Sequence, residues 1–226
     1  MSKKGKVIAL FVLFLGLAIT LYPWAAKWVN NQVLSKTAES YMHEFKEYEL
    51  NQREKEEIEL IKQCNENFIN TSDQLEDPFE KDSPVEDCFA DYGDEVFAVL
   101  SIPKLEIQLP IYLGASEAQL SEGVGIVERS SLPTGQSGSH SLLAGHRGMA
   151  TKEMFRHLDK LKEGDKFHIY FFDKKLTYRI FQTEVVQPWE TDHLGIQEGR
   201  DLVTLFTCHP YPVNDKRLLK WGERVD

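Results

Sequence analysis

The chain reads as a mainly β domain preceded by helices, and three observations carry that reading. From Val96 onward, short apolar runs rich in β-branched and aromatic residues alternate with glycine, proline and aspartate turn signals, the texture of a closed β-barrel or sandwich of seven or eight strands. Residues 27–69 hold no glycine or proline and are rich in Glu, Lys, Gln and Leu, which is helical composition. Residues 7–22 carry no charge and follow Lys3, Lys4 and Lys6.

Residues 1–26 form the first unit. The uncharged run, extended through Pro23 to Ala26, reaches about twenty apolar or small residues, enough to span a bilayer. Lysines at its start place that end in the cytoplasm and the rest of the chain outside, as a single-pass membrane anchor. A cleaved signal peptide is the alternative. Ala25-Ala26 is a poor cleavage site, and Trp24 and Trp28 suit an interfacial belt, so the anchor is preferred. Residues 27–69 form an extracellular helical region of two helices, the first rising from the membrane. Leu50, Ile58, Leu60 and Ile61 are too sparse for a long coiled coil. Residues 70–95, dominated by Asp, Glu, Ser and two prolines, form a loop.

The last unit, 96–226, is the β domain. Strands are expected over 96–100, 107–112, 139–145, 166–172, 176–186, 202–208 and 217–221, with punctuation at Gly123, Gly125, Pro133 and Gly135. One helix is expected at 152–161, where Met154, Phe155, Leu158 and Leu161 share a helical face. The net charge of −10 argues against nucleic acid, which needs a basic face.

Two of these strands end on reactive side chains. Thr204-Leu205-Phe206-Thr207-Cys208 puts Thr204, Phe206 and Cys208 on one face by strand alternation. The thiol closes the strand just before a proline-rich turn, where substrate can reach it. Ser141-Leu142-Leu143-Ala144-Gly145-His146-Arg147-Gly148 ends an apolar strand on His146 between glycines that leave room for an approaching group. Arg217 opens the last strand, across a hairpin from Cys208. Thiol, imidazole and guanidinium are the parts of acyl transfer through a thioester: nucleophile, proton carrier and oxyanion donor. Singly, each has a plainer reading, as a buried cysteine, an ordinary histidine and a surface arginine. The other six histidines read as surface or packing residues. No metal-type spacing is present, and the chemistry needs no cofactor.

Outside the cell, cysteines can pair. Cys64 and Cys88 either form a disulfide, closing a loop of about 25 residues for roughly 3 kcal/mol, or remain two thiols.

In this order, Ala144-Gly145-His146-Arg147-Gly148, Thr204-Leu205-Phe206-Thr207-Cys208 and Asn214-Asp215-Lys216-Arg217-Leu218-Leu219 resemble the sortases, cysteine transpeptidases of Gram-positive cell surfaces. The resemblance covers about 96–225. It implies an eight-stranded sortase barrel and cleavage of an LPXTG-type sorting signal between Thr and Gly. Cys208 would form the thioester, His146 would act as acid and base, and Arg217 would stabilise the oxyanion. The segments 107–114, 131–133 and 158–165 resemble class C, the pilin polymerases, whose acceptor is a pilin lysine. Asp77-Pro78-Phe79 resembles the class C lid, in which Asp77 would meet Arg217 and Phe79 would cover Cys208. Without that resemblance Asp-Pro is a common turn start. Cys64 and Cys88 bracket the triplet and, if bonded, would tether it. No second apolar run follows, whereas many class C enzymes carry a C-terminal membrane segment. Two alternatives stay open: a sortase that joins surface proteins to a cell-wall peptide amine, and a non-catalytic module that only docks sorting signals.

Overall fold

The computed structural model describes residues 3–46, 50–69, 75–80 and 95–225. Helix α1 (Lys3–Lys46) runs unbroken through Pro23. Among the described residues it is the one helix long and apolar enough to cross a membrane, and its apolar stretch packs against nothing in the protein. The proline removes one N–H, and nothing between 26 and 27 supplies a stop signal, so the expected boundary there is not a break in the helix. Further along, α1 docks. Leu34 and Ala38 are buried. The Tyr41 hydroxyl donates to Phe97 O at 3.2 Å and accepts from the Phe172 N–H at 3.1 Å.

Helix α2 (Gln52–Ile69) starts on a reciprocal cap. Asn51 Oδ1 accepts the Glu54 N–H at 3.0 Å, and the Glu54 carboxylate accepts the Asn51 N–H at 2.7 Å. Ile58, Ile61 and Cys64 are buried on the barrel. Asn65, also buried, donates to Leu132 O and Thr134 Oγ1 and accepts from the Leu132 N–H.

Eight strands follow: β1 (Ala98–Ile102), β2 (Ile107–Leu113), β3 (Val124–Ile126), β4 (Ser139–Ala144), β5 (Lys166–Phe171), β6 (Lys174–Val186), β7 (Asp201–His209) and β8 (Lys216–Arg224). They close into a barrel in the order β1-β2-β3-β4-β7-β8-β6-β5, which leaves no unpaired edge. β2–β3 and β4–β7 are parallel, and the other pairs are antiparallel. On β7, Val203 and Leu205 belong to one apolar cluster and Leu202 and Phe206 to another. The second cluster gathers Leu142, Ala144, Leu219 and Trp221 beneath Leu75 and Leu194. Both faces of β7, which carries Cys208 one residue before its end, are therefore covered by apolar side chains.

Two expectations for local structure change. Residues 152–161 form no α-helix. Met154 takes a left-handed backbone (φ 45°) and only Leu158–Lys160 winds, as a 3-10 turn. Met154, Phe155, Leu158 and Leu161 are all buried as the spacing required, but as loop side chains on the barrel rather than as one helical face. A short helix not foreseen, α3 (Glu117–Glu122), precedes the still shorter β3. There Gly125 fits because a Cβ would fall 2.5 Å from Gly114 O.

Candidate active site

The parallel ladder of β4 and β7 sets Ala144 opposite Phe206. It continues with the Gly145 N–H donating to Phe206 O at 3.0 Å, while Thr207 Oγ1 donates to Gly145 O at 2.7 Å. His146 and Cys208 each lie two residues past that register pair. The antiparallel ladder of β7 and β8 puts Cys208 directly opposite Arg217. Two sheet ladders thus bring thiol, imidazole and guanidinium to one end of the barrel.

Cys208 is half-buried and its thiol is free. Burial pushes the thiol up from its ordinary value; Arg217 opposes the shift, Asp77 adds to it and Arg147 opposes it. The resting thiol is therefore protonated at neutral pH. His146 Nε2 has no hydrogen-bond partner among the described residues. The Glu117 carboxylate stands 3.5 Å away, too far for a good hydrogen bond. The Nε2 atom is itself buried, with the Phe79 ring 5.9 Å from the imidazole.

Arg217 is buried, and its Nε donates to Asp77 Oδ2 at 2.6 Å. Its Nη1 donates to Asn214 O at 3.2 Å and to Lys216 O at 3.0 Å, and Glu80 lies 3.9 Å from Nη2. Asp77 is also buried, and its Oδ1 accepts the Phe79 N–H at 2.9 Å. Burial raises the Asp77 carboxyl above its usual range, although the Phe79 N–H and the Arg217 guanidinium both pull it down. At Asp77 burial outweighs both contacts. The Phe79 ring stacks on Phe206 at 5.8 Å, lies 5.9 Å from the His146 ring and sits 5.5 Å beneath the Arg217 guanidinium. Residues 75–80 therefore lie across the strand ends, tied at Leu75 O by the Thr191 hydroxyl.

Cys64 is buried and disulfide-bonded; its expected partner, Cys88, lies outside the described residues. His140 is a packing residue, buried between Thr204 Oγ1 (2.8 Å) and Gly195 O (3.1 Å). Two neighbours of the site had no role in the sequence reading. Phe206, the base of the Phe79 stack, was legible as lying on the face of Cys208. Arg147 is buried, donates from Nη2 to Asp159 Oδ1 at 2.7 Å, and leaves Nε and Nη1 without hydrogen-bond partners among the described residues. Its only sequence signal was its place directly after His146.

The sequence model of the sortase domain family matches residues 100–225, more than half of the chain. Among solved structures, sortase C-1 from Actinomyces oris is 40% identical, covering 75% of this chain and 99% of its own, with a TM-score of 0.67. Sortase C1 of GBS Pilus Island 1 is 30% identical, covering 88% and 92%, with a TM-score of 0.71. Sortase C from Clostridium perfringens, solved with the C-terminal cell wall sorting motif, is 35% identical, covering 85% and 99%, also at 0.71. Curated relatives from bacteria including Bacillus subtilis match at 28–31% identity, and the matched stretch spans less than two thirds of their lengths.

Proposed function

Because this chain belongs to the sortase family, we propose that it is a membrane-anchored, pilin-joining transpeptidase whose resting site is covered by a lid. The observation that carries the reading is the pairing of Cys208 with Arg217 across β7 and β8, with His146 ending the adjacent parallel strand. Similarity to a sortase of a pilus island and to one solved with a sorting motif supports a pilin acceptor and an LPXTG-type donor. The apolar run of α1 supports the anchor, with the barrel outside the cell.

The donor enters extended, once 75–80 has moved. With the thiol proton passed to His146, the Cys208 thiolate attacks the Thr carbonyl carbon, and Arg217, released from Asp77, hydrogen-bonds the developing oxyanion. The C–N bond to glycine breaks as His146 protonates the departing amine, leaving a Cys208 thioester. A pilin lysine amine then attacks that carbonyl, its proton passes to His146, and the thiolate leaves. One amide is broken and one made.

The test is mass spectrometry of the full chain in detergent micelles, incubated with an LPXTG peptide alone, with a lysine-bearing pilin fragment, or with a wall-peptide amine. The expected result is an acyl adduct on Cys208 that moves to the fragment's lysine and is absent in Cys208→Ala. Transfer only to a wall-peptide amine would replace the pilin reading. Peptide binding with no adduct, even in Phe79→Ala, would leave a docking module.

A further inference from the structure

We propose that the stretch of α1 just past its apolar run is a positioning element of the active site. Through Lys27, Asn30 and Asn31 it holds the segment that fixes His146. The inference rests on the reading of His146 as the proton carrier.

His146 lies beyond the end of β4, where the ladder no longer holds the chain. From Gly145 to Leu161 the only winding is the 3-10 turn at Leu158–Lys160. The segment's position therefore depends on what it touches. On one side is the anchor helix: Asn30 Nδ2 donates to Thr151 O at 3.2 Å, Asn31 Oδ1 accepts the Glu153 N–H at 3.0 Å, and Lys27 pairs with the Glu153 carboxylate. Two residues after Glu153, the Phe155 N–H donates to His146 O at 3.0 Å. The Phe155 ring, fully buried, fills the space over Gly145, where a Cβ would lie only 2.8 Å away. Beyond it, Asp159 takes the Arg147 guanidinium. Five residues thus link the anchor helix to the catalytic imidazole: Asn31, Glu153, Phe155, Gly145 and His146.

The clamp faces open space. A cavity of about 300 Å³, lined in part by Asn31, Leu34, Glu153, Met154 and His157, lies beside it. With the Asn30 and Asn31 bonds cut, the segment has somewhere to move. A proton carrier serving a departing and an incoming amine tolerates little displacement; about 1 Å can cost up to roughly a hundredfold in rate. Cys208 and Arg217, by contrast, are held by the β7–β8 ladder and do not depend on the clamp.

The test compares full-length wild type, the Asn30→Ala/Asn31→Ala double variant, Asn31→Asp, and Lys36→Ala as an exposed control on the same helix. All are kept in micelles. Three quantities are read: kcat and KM for transfer, the rate of Cys208 alkylation, and amide exchange at Glu153 and Phe155. In the double variant, kcat is expected to fall about tenfold with the donor KM within about twofold. The two amides should exchange faster while Cys208 alkylation is unchanged. Asn31→Asp, which keeps an acceptor for the Glu153 N–H, should recover most of kcat and of the exchange protection, and Lys36→Ala should match wild type. Unchanged kcat in the double variant overturns the proposal, as does a loss of kcat accompanied by an equal loss of Cys208 reactivity, which would mark general destabilisation. A wild type that alkylates at Cys208 yet transfers nothing sinks the transferase reading instead, and exchange at the two amides then decides the clamp alone.

Discussion

Cys208 is placed where its surroundings work against its reactive form. A thiolate is the reactive form of a cysteine, but at Cys208 burial favours the thiol, and the Asp77 carboxylate pushes in the same direction. The pH at which Cys208 alkylation reaches half its plateau should therefore lie above that of an exposed cysteine. In Asp77→Ala it should move down, because the variant removes a negative neighbour and frees Arg217 to favour the thiolate. A stopped-flow alkylation series across pH checks both, and a midpoint unmoved by the substitution would separate Asp77 from the thiol. His140 supplies a second residue-level test. Burial holds its pKa at about 4, against 6.5 ordinarily, so the fold keeps the ring neutral while the unfolded chain protonates it. Its contribution is complete above about 6.5 and is lost as pH falls toward 4, a span worth about 3 kcal/mol at 1.36 kcal/mol per unit. Thermal melts of wild type should weaken across that window, and His140→Gln should lose that part of the slope.

At the level of elements, residues 75–80 meet the barrel through the Asp77–Arg217 ion pair, the Phe79 ring against Phe206, His146 and Arg217, the buried Leu75 side chain and the Thr191 hydroxyl. Removing the Phe79 ring takes away the stack on Phe206, which together with its burial contributes on the order of 1–2 kcal/mol. Phe79→Ala should therefore raise the Cys208 alkylation rate about tenfold at fixed pH, since 1.4 kcal/mol is a factor of ten. Equal rates in Phe79→Ala and wild type would mean that the segment does not guard the thiol. The loop at 152–161 makes a related point. Apolar spacing correctly marked which of its side chains are buried, yet not the backbone path, because a left-handed turn at Met154 and a helix can bury the same residues.

Across the whole molecule, helices and barrel are joined by a few polar contacts with high leverage. Asn65 satisfies both the N–H and the C=O of Leu132 from within a buried face. Asn65→Ala would strand the buried Leu132 N–H, while Leu132 O keeps the Thr134 N–H at 2.9 Å; at a cost of about 1–3 kcal/mol the variant should lower the melting temperature without altering the pH dependence of Cys208 alkylation. Much of this architecture was readable in the linear chain. Strand alternation put Phe206 and Cys208 on one face, and turn signals delimited most of the strands. The helical composition of 27–69 was as legible, and so was the uncharged run that makes α1 able to span a bilayer, because periodicity and composition are local properties. The order of strands around the barrel was not, nor the short β3 and α3, nor the absence of any break between the apolar run and the helix that docks on the barrel. What the sequence determined alone was that a thiol, an imidazole and a guanidinium stand at or near strand ends. Tertiary structure decided that β4 lies beside β7 and that Asn30 and Asn31 grip the loop behind His146, whereas the reach of Asp77 to Arg217 was expected only through the resemblance of Asp77-Pro78-Phe79 to a known lid. Those contacts join residues far apart in the chain, and their strength depends on burial and on register between non-neighbouring strands, which no local pattern encodes.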